Sequence, residues 1–454
     1  MSAGLDKHKP TPPADPAQAD RDLPPLLTGY RGRLASPSFT PYHRLILLIA
    51  LANVVFGVLF LLAQPSWNLW LGGLLTAASV NVALAALMRQ QYFVNALFSI
   101  TTSAPLRWPL RVRSALAQVH HIPGGVHVGA AMSATVWFFN YAVCVVITPP
   151  PAAGAAQHIA LLVVVVAIAL DLLGMSVCAR PSVRHHRHDL FEATHRYGGW
   201  ASIVLFTALT VLHAAADRGP AAADILRSPN TWILATLFVF AAIPWLQLRR
   251  VPVSITNPSN HVSLVTFSRG RVRVGSASKI ARHPLGQWHA FANMTTPGVD
   301  GFRIAISRAG GWTGDFIADA PSHVWTRGVP TTGVGSVGRL FSKVVWITTG
   351  SGIAPALPHL LNDPTPAHLV WVTRSPERTY GRELAAEIFA AQPDALLWNS
   401  DERGKPDLTE LAYQAYRDSG AEAIICISNK DATLRLVTEL QQRGVPAYGP
   451  IWDS

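Results

Sequence analysis

The stretch VVWITTGSGIAPALPHLL, Val344 to Leu361, decides how the second half of this 454-residue chain is read. It begins as a continuous apolar strand, turns at Gly350, Ser351 and Gly352, and opens a helix. Glycines at such a turn let the backbone approach a pyrophosphate, and the amides at the helix start then face the anion. The rhythm continues downstream. HLVWVT (368–373) and AEAIICIS (421–428) read as buried strands, while GRELAAEIFAA (381–391) and ATLRLVTELQQRG (432–444) read as helices. Strands alternating with helices predict a parallel sheet in an α/β nucleotide-binding domain over residues 342–454.

Working outward, HVSLVTF, RVRVG and FRIAISR (261–267, 271–275, 302–308) are short, alternating and bounded by Gly, Asn and Pro. They predict antiparallel strands in a small β-barrel or sandwich over residues 251–341. Residues 41–250 differ altogether. Half of the whole chain is hydrophobic and 14% is charged. Six apolar runs, at 43–63, 66–88, 123–147, 157–179, 196–216 and 231–248, approach the roughly 20 residues a membrane span needs. A six-helix membrane bundle is therefore expected. Arg31, Arg33 and Arg44, then Arg89, Arg107, Arg111 and Arg113, then Arg180, Arg184, Arg187 and Arg196, then Arg249 and Arg250 all fall on one side. That bias puts both termini in the cytoplasm, in a multi-pass protein of the plasma or inner membrane. The net charge of +11 is largely this bias, so nucleic acid is not an expected partner; membrane lipid is. Residues 1–40, rich in Pro and polar side chains, are expected to be a disordered cytoplasmic tail without a signal peptide. Cys144, Cys178 and Cys426 make neither a metal spacing nor a disulfide framework.

Histidines mark the membrane half. His120, His121 and His127 stand at the mouth of the third run, and His195 opens the fifth. Odd-numbered spans run the same way, so His127 and His195 share the cytoplasmic end. Neutral imidazoles there suit a bis-histidine b-type haem gripped between the third and fifth spans. Gly124, Gly125, Gly129, Ala130 and Ala131 are small enough to leave room for a flat macrocycle. His213, a further candidate metal ligand, is five turns beyond His195, about 27 Å along the helix. Two other readings stay open: interfacial histidines bonded to headgroups or loop carbonyls, and a non-haem iron cluster built with the nearby His185, His186 and His188. Asp171, inside the fourth run, is a candidate catalytic or proton-carrying group, or else bonds an Asn or Ser of a neighbouring span.

A barrel followed by VVWITTGSGIAPALPHLL resembles the ferredoxin–NADP reductase superfamily. Six helices ahead of it resemble the ferric reductase and NADPH oxidase group. The layout, with VHHIPGGVHVG (119–129) and FEATHRYGGW (191–200), is most similar to fungal transmembrane flavoprotein-like proteins. The resemblance implies FAD and NADPH or NADH as cofactors, and an electron path to a small-molecule acceptor or substrate. In WHAFANMT (288–295) it implies that His289 and Phe291 contact the flavin, with Thr295 close by and Ala292 where a hydroxyl residue is usual. GGWTGDF (310–316) resembles the second flavin contact and implies Thr313 near the diphosphate. Cys426 stands where the family keeps a cysteine near the nicotinamide, and Trp452 where a terminal aromatic covers the flavin. Arg374 and Arg378, in VTRSPERTYGRE (372–383), are placed for a 2′-phosphate. In the ferric reductase group the third and fifth spans each carry two histidines for two haems. Here Asn140, Tyr141 and Ala208 stand at the outer positions, which implies at most the inner haem. The expected function is a membrane oxidoreductase passing electrons from NAD(P)H through FAD to a haem or metal at the cytoplasmic side. Alternatives are a non-haem iron enzyme of desaturase, hydroxylase or lyase type, and a non-catalytic nucleotide-sensing protein.

Overall fold

A computed structural model of the protein describes residues 23–148, 154–218 and 222–450. Six of its helices are long and apolar enough to cross a membrane: Pro41–Leu62, Trp67–Leu87, Ile122–Ile147, Ala155–Cys178, His188–Arg218 and Pro229–Leu246. We call them the first to sixth apolar helices. Their run lengths, not any amphipathic stripe, made them readable: the apolar residues go all the way round. Leu48, Leu51, Val54, Leu59 and Leu62 of the first helix are all exposed, as are Val163 and Leu170 of the fourth. Inside the bundle, polar groups satisfy one another. Asn53 and Asn81 exchange side-chain hydrogen bonds of 2.7 and 3.2 Å, and the Trp137 indole donates to Asn53 at 2.8 Å. Such pairs are the usual glue where water is excluded.

The connection between the second and third apolar helices is itself structured. Gln91–Thr101 and Leu110–Leu116 are helices, and the first lays Val94 and Phe98 into the core of the nucleotide-binding half. Asn95 ties it to the β-region, donating to Pro330 O and accepting from Thr332 N. Residues 23–40 also depart from the expected disordered tail. Gly29–Leu34 is helical, Leu27 N donates to Gln442 O at 2.8 Å, and Arg443 donates to Pro24 O at 2.6 Å. Backbone hydrogen bonds to a folded partner hold this piece, which composition cannot foresee. The amino-terminal segment, the 91–116 connection and the start of the fifth helix thus all meet the carboxy-terminal half on one side of the bundle.

The β-region holds β1 (Arg249–Pro252), β2 (Ser254–Thr256), β3 (Val262–Phe267), β4 (Ser276–Ala281), β5 (His289–Ala292), β6 (Phe302–Ser307), β7 (His323–Thr326) and β8 (Thr331–Thr332). The expected closed barrel is corrected. The strands divide into two antiparallel sheets, β1-β7-β4-β5 with β8 on β4, and β2-β3-β6. The chain changes sheet at Val253, between β1 and β2, and a single bridge, Met294 to Arg303, links the sheets at another corner. Strands of two to six residues are too short to close a cylinder, and a helix, Gly311–Asp319, buries Phe316 and Ile317 against the core instead.

The carboxy-terminal half is a parallel sheet of β9 (Val344–Thr349), β10 (Ala367–Thr373), β11 (Leu396–Asn399), β12 (Ala423–Ile427) and β13 (Ala447–Tyr448), in the order β11-β10-β9-β12-β13. Both faces are covered, so the strands are buried nearly throughout, as their continuous apolar runs required. The order reverses between β9 and β12, where doubly wound sheets open a crevice at the carboxyl ends of their strands.

Candidate functional site

That crevice is occupied by a cleft of about 830 Å³. Thr349 ends β9 and Ser428 follows β12. Their hydroxyls meet across the switch point at 2.6 Å. Gly350 follows Thr349 with φ +50°, which an L side chain rarely adopts. Its carbonyl accepts from the Trp371 indole at 3.0 Å, so the turn is fixed from β10 beside it. Gly352 is needed for another reason: a Cβ there would lie 2.2 Å from the Ile427 carbonyl oxygen. The first helical turn thus sits directly on β12, and the helix Ile353–Asn362 runs away from the cleft. Of Gly350, Ser351 and Gly352, Gly350 lines the cleft, while Gly352 packs the turn against β12.

Beyond β10, Arg374 and Arg378 line the same cleft, joined by Lys405 and opposed by Asp401. Arg374 approaches Asp401 only at 4.0 Å and stays 78% exposed, so its guanidinium remains available to an anion. Tyr380, pushed up to about 12 by burial, closes the floor. Thr349, Ser428, Lys405 and Tyr380 were not picked out from sequence. Thr349 and Ser428 stand at the carboxyl ends of β9 and β12, a position that could have flagged them, while Tyr380 and Lys405 lie in the segments after β10 and β11.

Cys426 is elsewhere. It lies fully buried within β12, its side chain among Val345, Ile347 and Leu436 on the helical side, and burial pushes its thiol up to about 12. The cysteine expected near a nicotinamide is a core residue here, because the strand's alternation turns it away from the cleft. Trp452 lies outside the described residues.

The residues expected near a flavin gather around β5 and the helix Gly311–Asp319. His289 and Phe291 pair across the sheet with Ile280 and Ser278, on its inward face. Trp312 covers them, with ring centroids 4.2 Å from His289 and 6.1 Å from Phe291. Thr313 spends its hydroxyl capping its own helix, accepting from Ala309 N and Gly310 N. Thr295 is engaged by Asn362, which donates to its carbonyl at 3.0 Å. Only His289 keeps a buried ring nitrogen, Nε2, without a partner, and its basicity is lowered by burial.

Neither haem nor iron finds support among the described residues. Two of the small residues of the third apolar helix are taken up by close packing of the first. A Cβ on Gly125 would lie 2.8 Å from Leu45 Cβ, and one on Gly129 3.0 Å from Ile49 Cβ, so the glycines admit the first helix. His127 gives Nδ1 to Ala85 O at 2.9 Å, and His120 gives Nδ1 to Ala117 O at 2.8 Å. His121 stacks near His120 at 4.2 Å, and His195 near Phe191 at 4.9 Å. His213, proposed as a further metal ligand, is buried and meets the Tyr141 hydroxyl at 3.2 Å. Among the described residues no three His, Cys, Asp or Glu side chains converge as a metal group. Asp171 takes the plainer of its two expected roles: it accepts from Ser202 of the fifth helix at 2.6 Å.

Comparison with known proteins adds to this geometry. The model of a family described as "Adenylate-forming reductase 03009, C-terminal domain" matches residues 334–454. The chain is 34% identical over 421 residues to Adenylate-forming reductase 06235 of Coprinopsis cinerea, covering 92% of this chain and 40% of that protein. Adenylate-forming reductase 03009 of the same fungus is 32% identical over 420 residues, with the same coverages. This chain therefore spans about two fifths of the length of those relatives. Among solved structures, a ferredoxin NADP+ reductase from Neisseria gonorrhoeae with bound FAD and NADP superposes with a TM-score of 0.37 and 14% identity, over 45% of this chain and 99% of that one. The Amycolatopsis cytochrome P450 reductase GcoB gives 0.35 and 14%, over 46% and 71%. Superpositions this loose carry no argument about chemistry.

Proposed function

We propose that this chain is an NAD(P)H-dependent reductase module held at a membrane by six apolar helices. The observation that carries the reading is the cleft at the β9/β12 switch point, with its glycine turn, its bridging hydroxyls and its three cations. The relatives named as reductases support the same class. NAD(P)H, when bound, supplies a hydride. The protein's own part is to bind and orient the nucleotide. Gly350 and Gly352 let the backbone approach the pyrophosphate, the Thr349 and Ser428 hydroxyls offer hydrogen bonds at the strand ends, and Arg374, Arg378 and Lys405 attract a 2′-phosphate. The membrane part of the reading is supported by the apolar surface that all six helices expose, an area far larger than a soluble monomer leaves bare. The bundle side carrying Arg89, Arg107 and Arg111 is also the side that meets the nucleotide domain, as a cytoplasmic orientation requires. The electron acceptor is a small molecule, and nucleic acid has no role.

The test is a nucleotide titration of the detergent-purified full chain. Replacing Arg374 and Arg378 together by Ala should weaken NADPH binding about 10- to 100-fold and NADH binding less than about threefold, since only the former offers the guanidinium groups a phosphate. Equal losses for both nucleotides would contradict the assignment of the arginines. Failure of the wild type to bind either would end the reading. A second reading, a non-catalytic nucleotide sensor, is favoured by the buried Cys426 and the covered Phe291. It predicts NADPH binding with no oxidation of NADPH when ferricyanide or a quinone is added, where the reductase reading predicts turnover.

A further inference from the structure

A second cleft, of about 300 Å³, lies between the apolar helices and the β-region, far from the nucleotide. Four cations from four parts of the chain converge on it. Arg89 follows the second apolar helix, Arg196 begins the fifth, Lys279 comes from β4, and Arg327 follows β7. No carboxylate lines it. Arg196 is paired with Glu192 at 3.1 Å and donates to Gly286 O. Arg327 lies between the rings of Trp245 and Trp288, 4.7 and 4.3 Å from their centroids. Among the described residues neither Arg89, Lys279 nor Arg327 has an ion pair. The Lys279 side chain is open to the cleft, and its amine is less basic than usual. Desolvation first, then Arg327 and Arg89, lower it to about 8. Glu192 answers Arg196 and acts more weakly on Arg327, which leaves the like charges of Arg89, Lys279 and Arg327 to repel one another unless an anion joins them.

The cleft's other wall is apolar. Ile203 of the fifth helix and Phe240 and Ala241 of the sixth rise from the cationic floor toward the middle of the bundle. Trp200 and Trp245 stand between floor and wall, 5.9 Å apart, at the level where aromatic side chains mark a membrane–water boundary. A ligand that satisfies both walls carries an anion at one end and hydrocarbon at the other. We propose that this cleft seats an anionic acyl lipid, its carboxylate or phosphate against Arg89, Lys279 and Arg327, its chain along Ile203, Phe240 and Ala241. The cation–π pair at Trp245 holds Arg327 in place for the headgroup. Two sources offer this chemistry: an anionic phospholipid of the surrounding leaflet, or a free long-chain carboxylic acid. The inference rests on the six helices spanning a bilayer, and is independent of which nucleotide the other cleft takes.

The experiment reconstitutes the full chain in nanodiscs of phosphatidylcholine, alone or with phosphatidylserine or oleate, then measures retained lipid by native mass spectrometry after mild detergent extraction. The expected result is one anionic lipid kept per chain, with phosphatidylcholine washed away. Retention of phosphatidylserine identifies the leaflet source and retention of oleate the free acid; either supports the site. Lys279→Gln with Arg327→Gln should cut occupancy about tenfold or more. NADPH affinity at the distant cleft, unchanged, reports that this variant is folded. Should the double variant not fold, Ala241→Trp fills the chain wall while leaving every cation, and should expel the acyl lipid too. Equal retention of phosphatidylcholine and anionic lipid, or occupancy unchanged in the variants, overturns the proposal. A chain that does not enter nanodiscs at all refutes the membrane reading instead, a distinguishable outcome.

Discussion

Replacing Gly352 by Ala should abolish nucleotide binding without touching any charged group. The added Cβ would stand 2.2 Å from the Ile427 carbonyl oxygen and 3.0 Å from its carbon. Both are backbone atoms of a central strand paired with β9, so no flexible side-chain end can move aside. The first turn of the helix must lift off β12, carrying Gly350 and Ser351 with it. Overpacking of this kind costs about 1–3 kcal/mol of stability. The displaced turn should lose NADPH affinity by about 100-fold, because misplacing phosphate contacts by an ångström removes several hydrogen bonds together. Gly174→Ala is the control. Nothing lies within 4 Å of a Cβ there, and the position is helical, near the end of Ala155–Cys178, so its binding and melting temperature should match the wild type or rise slightly. Isothermal titration on both variants checks the pair. Undiminished binding by Gly352→Ala would mean that the turn does not carry the pyrophosphate.

The second large effect is expected at Arg113. This residue precedes the third apolar helix and is only 5% exposed. Its guanidinium grips Glu422 with two bonds, 2.7 and 3.1 Å, and also donates to Leu340 O and Trp108 O. Glu422 in turn accepts from Ser342 N at 2.7 Å, at the entrance to β9. One side chain thus joins the bundle to the nucleotide domain. Arg113→Ala leaves the Glu422 carboxylate and two carbonyls without their donor. Breaking a buried pair from one side costs about 3–5 kcal/mol. Glu422 is about a quarter exposed, so we expect about 3 kcal/mol, read as a lowered melting temperature and faster proteolysis between the halves. Arg113→Lys keeps the charge but not the fork and should fall between. The pair also sets an acid limit. The hydrogen bonds from Arg113, ahead of those from Ser342, hold Glu422 down to about 2 against an ordinary 4.5. A carboxyl depressed in the folded state stabilises above its ordinary range and loses that contribution as pH falls through the folded value. The junction should therefore survive at pH 5 and weaken progressively from about pH 4.5 toward 2 in the wild type, a dependence that Arg113→Ala removes.

The fold was legible where a single physical signal dominated. Unbroken apolar runs located the six helices, since length alone separates them from core strands. Continuous apolar strands beside Gly350 and Gly352 located the parallel sheet and its cleft. The rest was ambiguous for identifiable reasons. A glycine stripe in a helix reads equally well as room for a cofactor or as room for a neighbouring helix, and Gly125 and Gly129 admit Leu45 and Ile49. The strand HAFA has two possible faces, and only its pairing with β4 turns Phe291 inward onto Trp312. Cys426 was misjudged by the same alternation. Gln91–Thr101 escaped notice because its apolar residues, split between two soluble regions, look like a loop until those regions are present. Asp171 met Ser202 across 31 residues, a contact that no local pattern records. Nor did any motif mark the cationic cleft, whose four charges come from four separate elements.

The central claim, nucleotide binding at the β9/β12 switch point, is tested most directly by hydrogen–deuterium exchange on the full chain with and without NADPH. The account predicts slowed exchange at residues 349–353, 374–380 and 428–432, with residues 289–295 and 311–316 unchanged. Protection confined to the latter two stretches, or no protection anywhere at saturating NADPH, would contradict it.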